Sequence, residues 1–429
     1  MHKYILFYSF ITIKVLFSSA DEYIAKIQTF IGNAEYQKAN QEFELAIKAY
    51  DANASLYYIG GQVAVRLDRL DDANKHFIKA IELDNKYEDY RLAQEKLAEL
   101  KNALTRAKKT YDNGLINDAI IEYEKLTDTY SENAIVFYNL GRVYKINEEY
   151  DLAVHNYKKA GELNPFEGKY SIAITAIAQQ MAKEGDTEYR RHEFETAIEN
   201  YKQAIHFSPD YTTAYFKLAR TYLKMKDYDN TRIILEQNLA VDAQQEQSEK
   251  MLGDVYRETG DYDKAIEHYN RAISINENYY KAHYSIGTLF LRKGQNEKAR
   301  DALKISIKLE PNYSKAYGAL GTAEQELGNI DSAIEYFIQA IKLDPGSYKI
   351  YYRLSSVYNL QKQYENAKTS AKDCLNIKRN YAPAYYELGI AEKALGNKVA
   401  ATDAFEKAKK DKNWRKSAQY ELDMLKKGF

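Results

Sequence analysis

Cysteine is nearly missing from this chain: Cys374 is the single one in 429 residues. An internal disulfide and a cysteine-based metal site are therefore excluded. Proline is also scarce, at five residues, which leaves long stretches free to be helical. The seven histidines never take a metal-ligand spacing such as H-E-x-x-H. No G-x-S-x-G, no phosphate loop and no G-x-G-x-x-G after a strand occurs. An excess of either charge is lacking too. Lys plus Arg is 61 against 62 for Asp plus Glu, a net charge of -1, which does not fit a globally basic nucleic-acid binder. These absences lead us to expect no enzyme, no cofactor and no metal. Cys374 reads as a small core residue rather than a nucleophile. Gly60-Gly61 reads as a helix-packing site. His155, His192, His206, His268 and His283 are scattered, and pairs such as Asp71-Asp72 read as solubilising surface.

What is present is an ordinary balance of 45% hydrophobic and 29% charged residues, with 41 tyrosines. That balance argues against disorder, and so many amphipathic rings suit numerous half-buried interfaces. The length suggests several domains or a repeat array. At the N-terminus an apolar run from Tyr4 to Ile13 is followed by Lys14, Val15-Leu16-Phe17 and the small residues Ser18-Ser19-Ala20. It is too short to span a membrane and Lys14 interrupts it. We read it as a secretory signal peptide cut after Ala20, the alternative being a buried N-terminal helix. No cysteine follows for a lipid anchor. The expected location is periplasmic or secreted, with the cytoplasm as the alternative.

The strongest signal is a fixed period. Ala265, Ala299, Ala333, Ala367 and Ala401 are 34 residues apart, and Gly253, Gly287, Gly321 and Gly389 keep the same step with Ser355 in the missing place. Such a period marks stacked supersecondary units. Numbered from 1 to 34, each unit has apolar positions at 4, 7, 8 and 11, then at 20, 24 and 27, both at helical spacing. Gly260, Gly294, Gly328 and Gly396 fall at position 15, where glycine ends a helix in the left-handed conformation. Small residues at 8 and 20 let the two helices cross closely. Pro165, Pro209, Pro311 and Pro345 fall at position 32 and stop the second helix, while Pro383 sits in the first turn of a helix, where proline is tolerated.

The unit Ala134 to Glu167 reads AIVFYNLGRVYKINEEYDLAVHNYKKAGELNPFE. It resembles the tetratricopeptide repeat, whose pattern is W-x2-L-G-x2-Y, then A-x3-F, then P. Phe137 stands for the Trp, and Leu140-Gly141, Tyr144, Ala153, Tyr157 and Pro165 match the rest. The resemblance implies an all-α, right-handed superhelical solenoid of helix-turn-helix repeats, about eleven of them. The register divides the chain into a signal peptide at 1–20, a repeat pair plus linker helix at 21–99, another such pair at 100–177, seven contiguous repeats at 178–415 and a capping helix at 416–429. The register slips at Glu88 to Glu99 and at Gly168 to Ile177. Both segments are read as extensions of the following helix, since no turn residues break them after Gly168. No His-Pro-Asp tripeptide and no residues for a further domain remain.

The family implies a concave face lined by the first helix of each unit. Positions 2, 5, 9 and 12 point away from the core set and are the groove candidates. Across the units they hold eleven basic side chains (Lys101, Lys108, Arg142, Lys145, Arg220, Lys250, Arg257, Lys281, Lys315, Lys349 and Lys393) against three acidic ones (Asp21, Asp186 and Asp254), a bias of +8 in a chain of -1. Tyr58, Tyr138, Tyr284, Tyr352 and Tyr386, with Phe216, occupy position 5. Two contact patches are expected: Tyr138, Arg142, Lys145 and Arg220, and then Tyr284, Lys315, Lys349, Tyr352 and Tyr386. A basic, aromatic groove suits an extended acidic peptide segment of a protein partner. Some family members clamp a terminal carboxylate with Lys at 5 and Asn at 9. Here position 9 never holds Asn and only Lys250 supplies the Lys, so that clamp is not expected. The alternative function is a glycan- or exopolysaccharide-handling module of an export system, and single-stranded nucleic acid binding is a third reading that the charge balance opposes. No membrane span is expected once the signal is removed, and the oligomeric state is left open.

Overall fold

A computed structural model describes residues 19–427. The expected signal segment lies outside them except for Ser19 and Ala20. The described residues form 23 helices and no strand. Two compact units divide at Ala214 and Tyr215. The first contains α1 (Ala20–Gly32), α2 (Tyr36–Ala49), α3 (Ala54–Arg66), α4 (Leu70–Leu83), α5 (Glu88–Asp112), α6 (Ile116–Thr129), α7 (Ala134–Ile146), α8 (Tyr150–Leu163), α9 (Lys169–Arg191) and α10 (Phe194–Phe207). At the division lies α11 (Thr212–Lys224). The second unit continues with α12 (Tyr228–Val241), α13 (Glu246–Thr259), α14 (Tyr262–Ile275), α15 (Tyr280–Arg292), α16 (Asn296–Leu309), α17 (Ser314–Glu326), α18 (Ile330–Leu343), α19 (Tyr348–Leu360), α20 (Tyr364–Ile377), α21 (Ala382–Ala394), α22 (Lys398–Ala408) and α23 (Arg415–Lys426). Odd and even helices pack as antiparallel pairs. No helix among the described residues is long and apolar enough to cross a membrane.

The turn inside each pair has one backbone solution. Position 15 is left-handed in every pair. Glycine fills it at Gly114, Gly260, Gly294, Gly328 and Gly396, while Ala34, Asp68, Glu148, His192, Lys226 and Lys362 adopt φ between 57° and 67° there. The helix crossing is equally uniform. A Cβ placed on Gly321 would lie 2.7 Å from the Phe337 ring and 3.2 Å from the Ala333 carbonyl oxygen. Gly141 against Tyr157, Gly253 against Tyr269 and Gly389 against Phe405 repeat this fit. Where Ser355 replaces the glycine, the residue at the register position of Phe337 is the small, buried Ala371, and the Ser355 hydroxyl donates to the Ala367 carbonyl at 2.8 Å. Burying that hydroxyl is tolerable because it has an acceptor.

Residues 88–99 form the first half of the 25-residue α5, and residues 169–177 open the 23-residue α9 behind Gly168. At the other end α23 buries Ala418, Leu422 and Leu425 against Ala401, Phe405 and Ala408, so the last pair is not left with an open apolar face.

The first unit also holds contacts between elements far apart in sequence, all on the α3–α4 turn. Arg66 donates to both the Glu132 carbonyl oxygen and its carboxylate at 2.7 Å. The Asn164 amide donates to the Arg66 carbonyl at 3.0 Å. Asp68 accepts from Lys169 Nζ at 2.7 Å and from the Tyr170 hydroxyl at 2.6 Å. Lys169 and Tyr170 belong to the first turn of α9, inside the segment that interrupts the 34-residue register.

Candidate functional site

Three first helices of successive pairs, α5, α7 and α9, line two adjoining cavities in the first unit. One, of about 250 Å³, lies between α5 and α7 and includes Lys108, Tyr111, Tyr123, Asn139 and Arg142. The second, of about 370 Å³, lies between α7 and α9 and includes Tyr138, Arg142, Lys145, Ile146, Lys169 and Ile172. Tyr111 and Arg142 line both. Arg142 therefore stands at the junction, with room on either side.

Charge at this junction is uncompensated in part. Lys108 is paired with Asp112 one turn further along α5. Lys169 is paired with Asp68. Arg142 and Lys145 make no ion pair among the described residues. The rings around them are built into the fold. Tyr138 lies 5.7 Å from Tyr157 and 5.6 Å, edge-on, from Tyr170. Lys169 Nζ sits 5.3 Å from the Tyr138 ring centre and 5.1 Å from that of Tyr170, within cation–π range. Burial pushes the Tyr123 hydroxyl up to about 12, with Arg142 pulling the other way, and burial and Tyr138 push Tyr157 up to about 12. Both stay neutral at physiological pH and keep a proton to donate. Ile146 and Ile172 are exposed beside the cations. The site thus offers fixed positive charge, hydroxyl donors and an apolar wall. It holds no nucleophile–base pair, and the described residues contain no cluster of three metal-ligating side chains.

Three of the four residues expected in the first patch, Tyr138, Arg142 and Lys145, share the second cavity. Arg220 lies on α11 in the second unit. In the second patch, Lys315 and Lys349 are exposed on the first turns of α17 and α19 and make no ion pair among the described residues. Its tyrosines are half-buried in ring clusters. Tyr284 packs edge-on against Tyr313 at 5.1 Å, Tyr352 against Tyr381 at 5.7 Å and Tyr386 against Phe405 at 5.7 Å, while Trp414 lies tilted against Tyr386 at 5.0 Å. Burial raises all three hydroxyls above the usual tyrosine range. Tyr313 and Tyr381 are at position 34 of their units, so these rings also fasten one pair to the next.

The charge bias read by position is diminished by acidic partners, some inside the groove set (Asp254) and some outside it (Asp71 and Glu421). Lys101 pairs with Asp71, Lys250 and Arg257 with Asp254, and Lys393 with Glu421 on α23. Lys169 and Tyr111 are the site residues the groove reading missed. Lys169 lies in the insertion, to which no repeat position applies. Tyr111 occupies position 12, outside the aromatic stripe at position 5. Cys374 is fully buried, and burial pushes its thiol up to about 11.

A family profile described as "Tetratricopeptide repeat" matches residues 134–167, 212–245, 280–313, 314–347 and 348–381. A second, described as "TPR repeat", matches residues 185–226 and 253–294. Together they span more than half of the chain. Similar solved structures include MamA, at 26% identity over 38% of this chain and 96% of that one, with a TM-score of 0.35. YrrB, described as a TPR protein with an unusual peptide-binding site, is 19% identical over 44% and 96% with a TM-score of 0.37. PilF of Pseudomonas aeruginosa is 16% identical over 51% and 97% with a TM-score of 0.46. No curated protein sequence matches. With the first profile recurring on successive helix pairs and the two together covering more than half of the sequence, the chain belongs to the tetratricopeptide repeat family, an all-α scaffold for protein–protein interaction.

Proposed function

We propose that this protein binds extended acidic segments of other proteins on the face formed by its first helices, with the main site at Tyr138, Arg142 and Lys145. The observation that carries the reading is the absence of a carboxylate partner for Arg142 and Lys145, beside tyrosines and an apolar wall. Two unpaired cations on a concave surface raise the local concentration of an anionic segment and hold it by charge-assisted hydrogen bonds. Ile146 and Ile172 suit a segment in which an apolar side chain sits near the acidic ones.

The test is binding of a fluorescent acidic peptide to the double reversal Arg142→Glu/Lys145→Glu. Affinity at low salt is expected to fall roughly tenfold or more, with the deficit shrinking as salt rises. Unchanged affinity sinks the reading. The glycan alternative leans on the tyrosine stripe, whose rings in the second unit pack largely on one another.

The compartment belongs to the same proposal. The apolar run before Ser18-Ser19-Ala20 supports an exported protein, periplasmic or secreted, cut between Ala20 and Asp21. Mass spectrometry of the native protein is expected to find Asp21 at the N-terminus. An intact Met1 on a cytosolic protein overturns it.

A further inference from the structure

The α3–α4 turn and the first turn of α9 are about a hundred residues apart in sequence, yet one carboxylate joins them. Asp68 is almost fully buried, with its side chain 4% exposed, and Lys169 is 32% exposed. Both hydrogen bonds from α9 fall on Asp68 Oδ2. The other oxygen, Oδ1, is buried without a partner, as is Oδ1 of the adjacent Asn164. The turn itself is held at φ 60°, a conformation that Asp and Asn tolerate better than most residues. Closure here is therefore incomplete: a buried carboxylate oxygen left without a partner weighs against it.

Lys169 belongs to two places at once. It closes the turn through Asp68, and it lines the cavity of Arg142 and Lys145. While Asp68 neutralises it, the cavity has two free cations. When the contact opens, it has three. We propose that Asp68 is a built-in competitor for Lys169, so that the Asp68–Lys169–Tyr170 contact is a latch and an anionic segment entering the cavity favours its release. This rests on the acidic-segment reading above and adds the regulation of that site. The reasoning is linkage. If the open form binds an anion more tightly because Lys169 is freed, the anion must favour the open form by the same factor. No bond is made or broken covalently, and no group outside the chain is needed.

Three substitutions in the full chain separate the latch from a purely structural contact. Asp68→Asn keeps a residue suited to the left-handed turn and an acceptor for Tyr170, and removes the charge that holds Lys169. Tyr170→Phe keeps both charges and loses one hydrogen bond. Lys169→Met keeps the length of the side chain and loses the cation. The probe is a fluorescein-labelled hexaglutamate peptide, and opening is read by hydrogen exchange at residues 64–70 and 168–174. In the wild type, saturating peptide is expected to speed exchange in both segments. Asp68→Asn is expected to tighten binding roughly three- to tenfold at low salt, with the gain fading as salt rises. Tyr170→Phe tightens it by less. Lys169→Met speeds exchange without peptide and weakens binding. If the peptide binds but leaves exchange unchanged or slower, and Asp68→Asn binds no tighter, the latch is refuted while the site stands. If the wild type does not bind the peptide at all, the acidic-segment reading fails and the latch loses its ligand with it.

Discussion

Lys362 and Gly328 occupy the same place in their repeats and adopt the same left-handed backbone, at φ 61° and 81°. For an L-residue this conformation costs about 1 kcal/mol, whereas glycine adopts it freely but is more flexible when unfolded. Nothing lies within 4 Å of a Cβ built on Gly328, so a substitution there meets only the backbone cost. Gly328→Ala is expected to lower stability by about 1 kcal/mol, and Lys362→Gly to raise it by about 0.5 kcal/mol. Denaturant midpoints decide both, and a Lys362→Gly protein no more stable than the parent contradicts the strain argument. This position also shows what single residues disclose. Four glycines marked the turn in the regular block, but the same turn is built from Ala34, Asp68, Glu148, His192 and Lys226, where no glycine signals it. Those residues are carried by the helices on either side rather than by their own preference. Asp68 is the instructive one, since the side chain that tolerates the turn is also the one that reaches α9.

Among the elements, the crossing of paired helices is the most demanding contact. Ala333 is fully buried on α18, and its carbonyl lies against Gly321 on α17. Ala333→Leu therefore overpacks the crossing and is expected to cost about 1–3 kcal/mol. Lys349→Ala, on the exposed first turn of α19, is expected to stay within about 0.5 kcal/mol. Equal denaturant midpoints for the two variants would contradict the assignment of position 20 to the crossing. The loss is expected to concentrate in α17–α20, because repeats are stabilised by their neighbours. The pairing of helices was legible because it depends on small residues recurring at fixed steps, and Ser355 fits that logic because its hydroxyl bonds the Ala367 carbonyl across the crossing. The α3–α4 contact with α9 was not legible. It joins a turn to an insertion, and neither a period nor a helical face relates Asp68 to Lys169.

At the scale of the chain, the sequence yields a list of candidate face positions but not a distribution of usable charge. Lys101, Lys250, Arg257 and Lys393 each meet an acid, so they contribute less to an incoming anion than Arg142, Lys145, Lys315 and Lys349 do. The two units differ in what surrounds their free cations. Arg142 and Lys145 line a cavity with an apolar wall, whereas Lys315 and Lys349 stand on exposed helix starts beside ring clusters already packed. A short acidic peptide is thus expected to find a tighter site in the first unit and a weaker, more salt-sensitive one in the second. Titration calorimetry can separate them. Arg142→Glu/Lys145→Glu is expected to remove the tighter class and leave the weaker. Lys315→Glu/Lys349→Glu is expected to remove the weaker class and leave the first within about twofold, with little effect on folding. Tyr352→Ala should also weaken the second class, through lost contact area and a loosened Tyr381, and this effect should persist in high salt where the lysine effect fades. Should the second pair of reversals abolish the tighter class instead, the main site lies in the second unit and the cavity between α7 and α9 is not where the ligand is held.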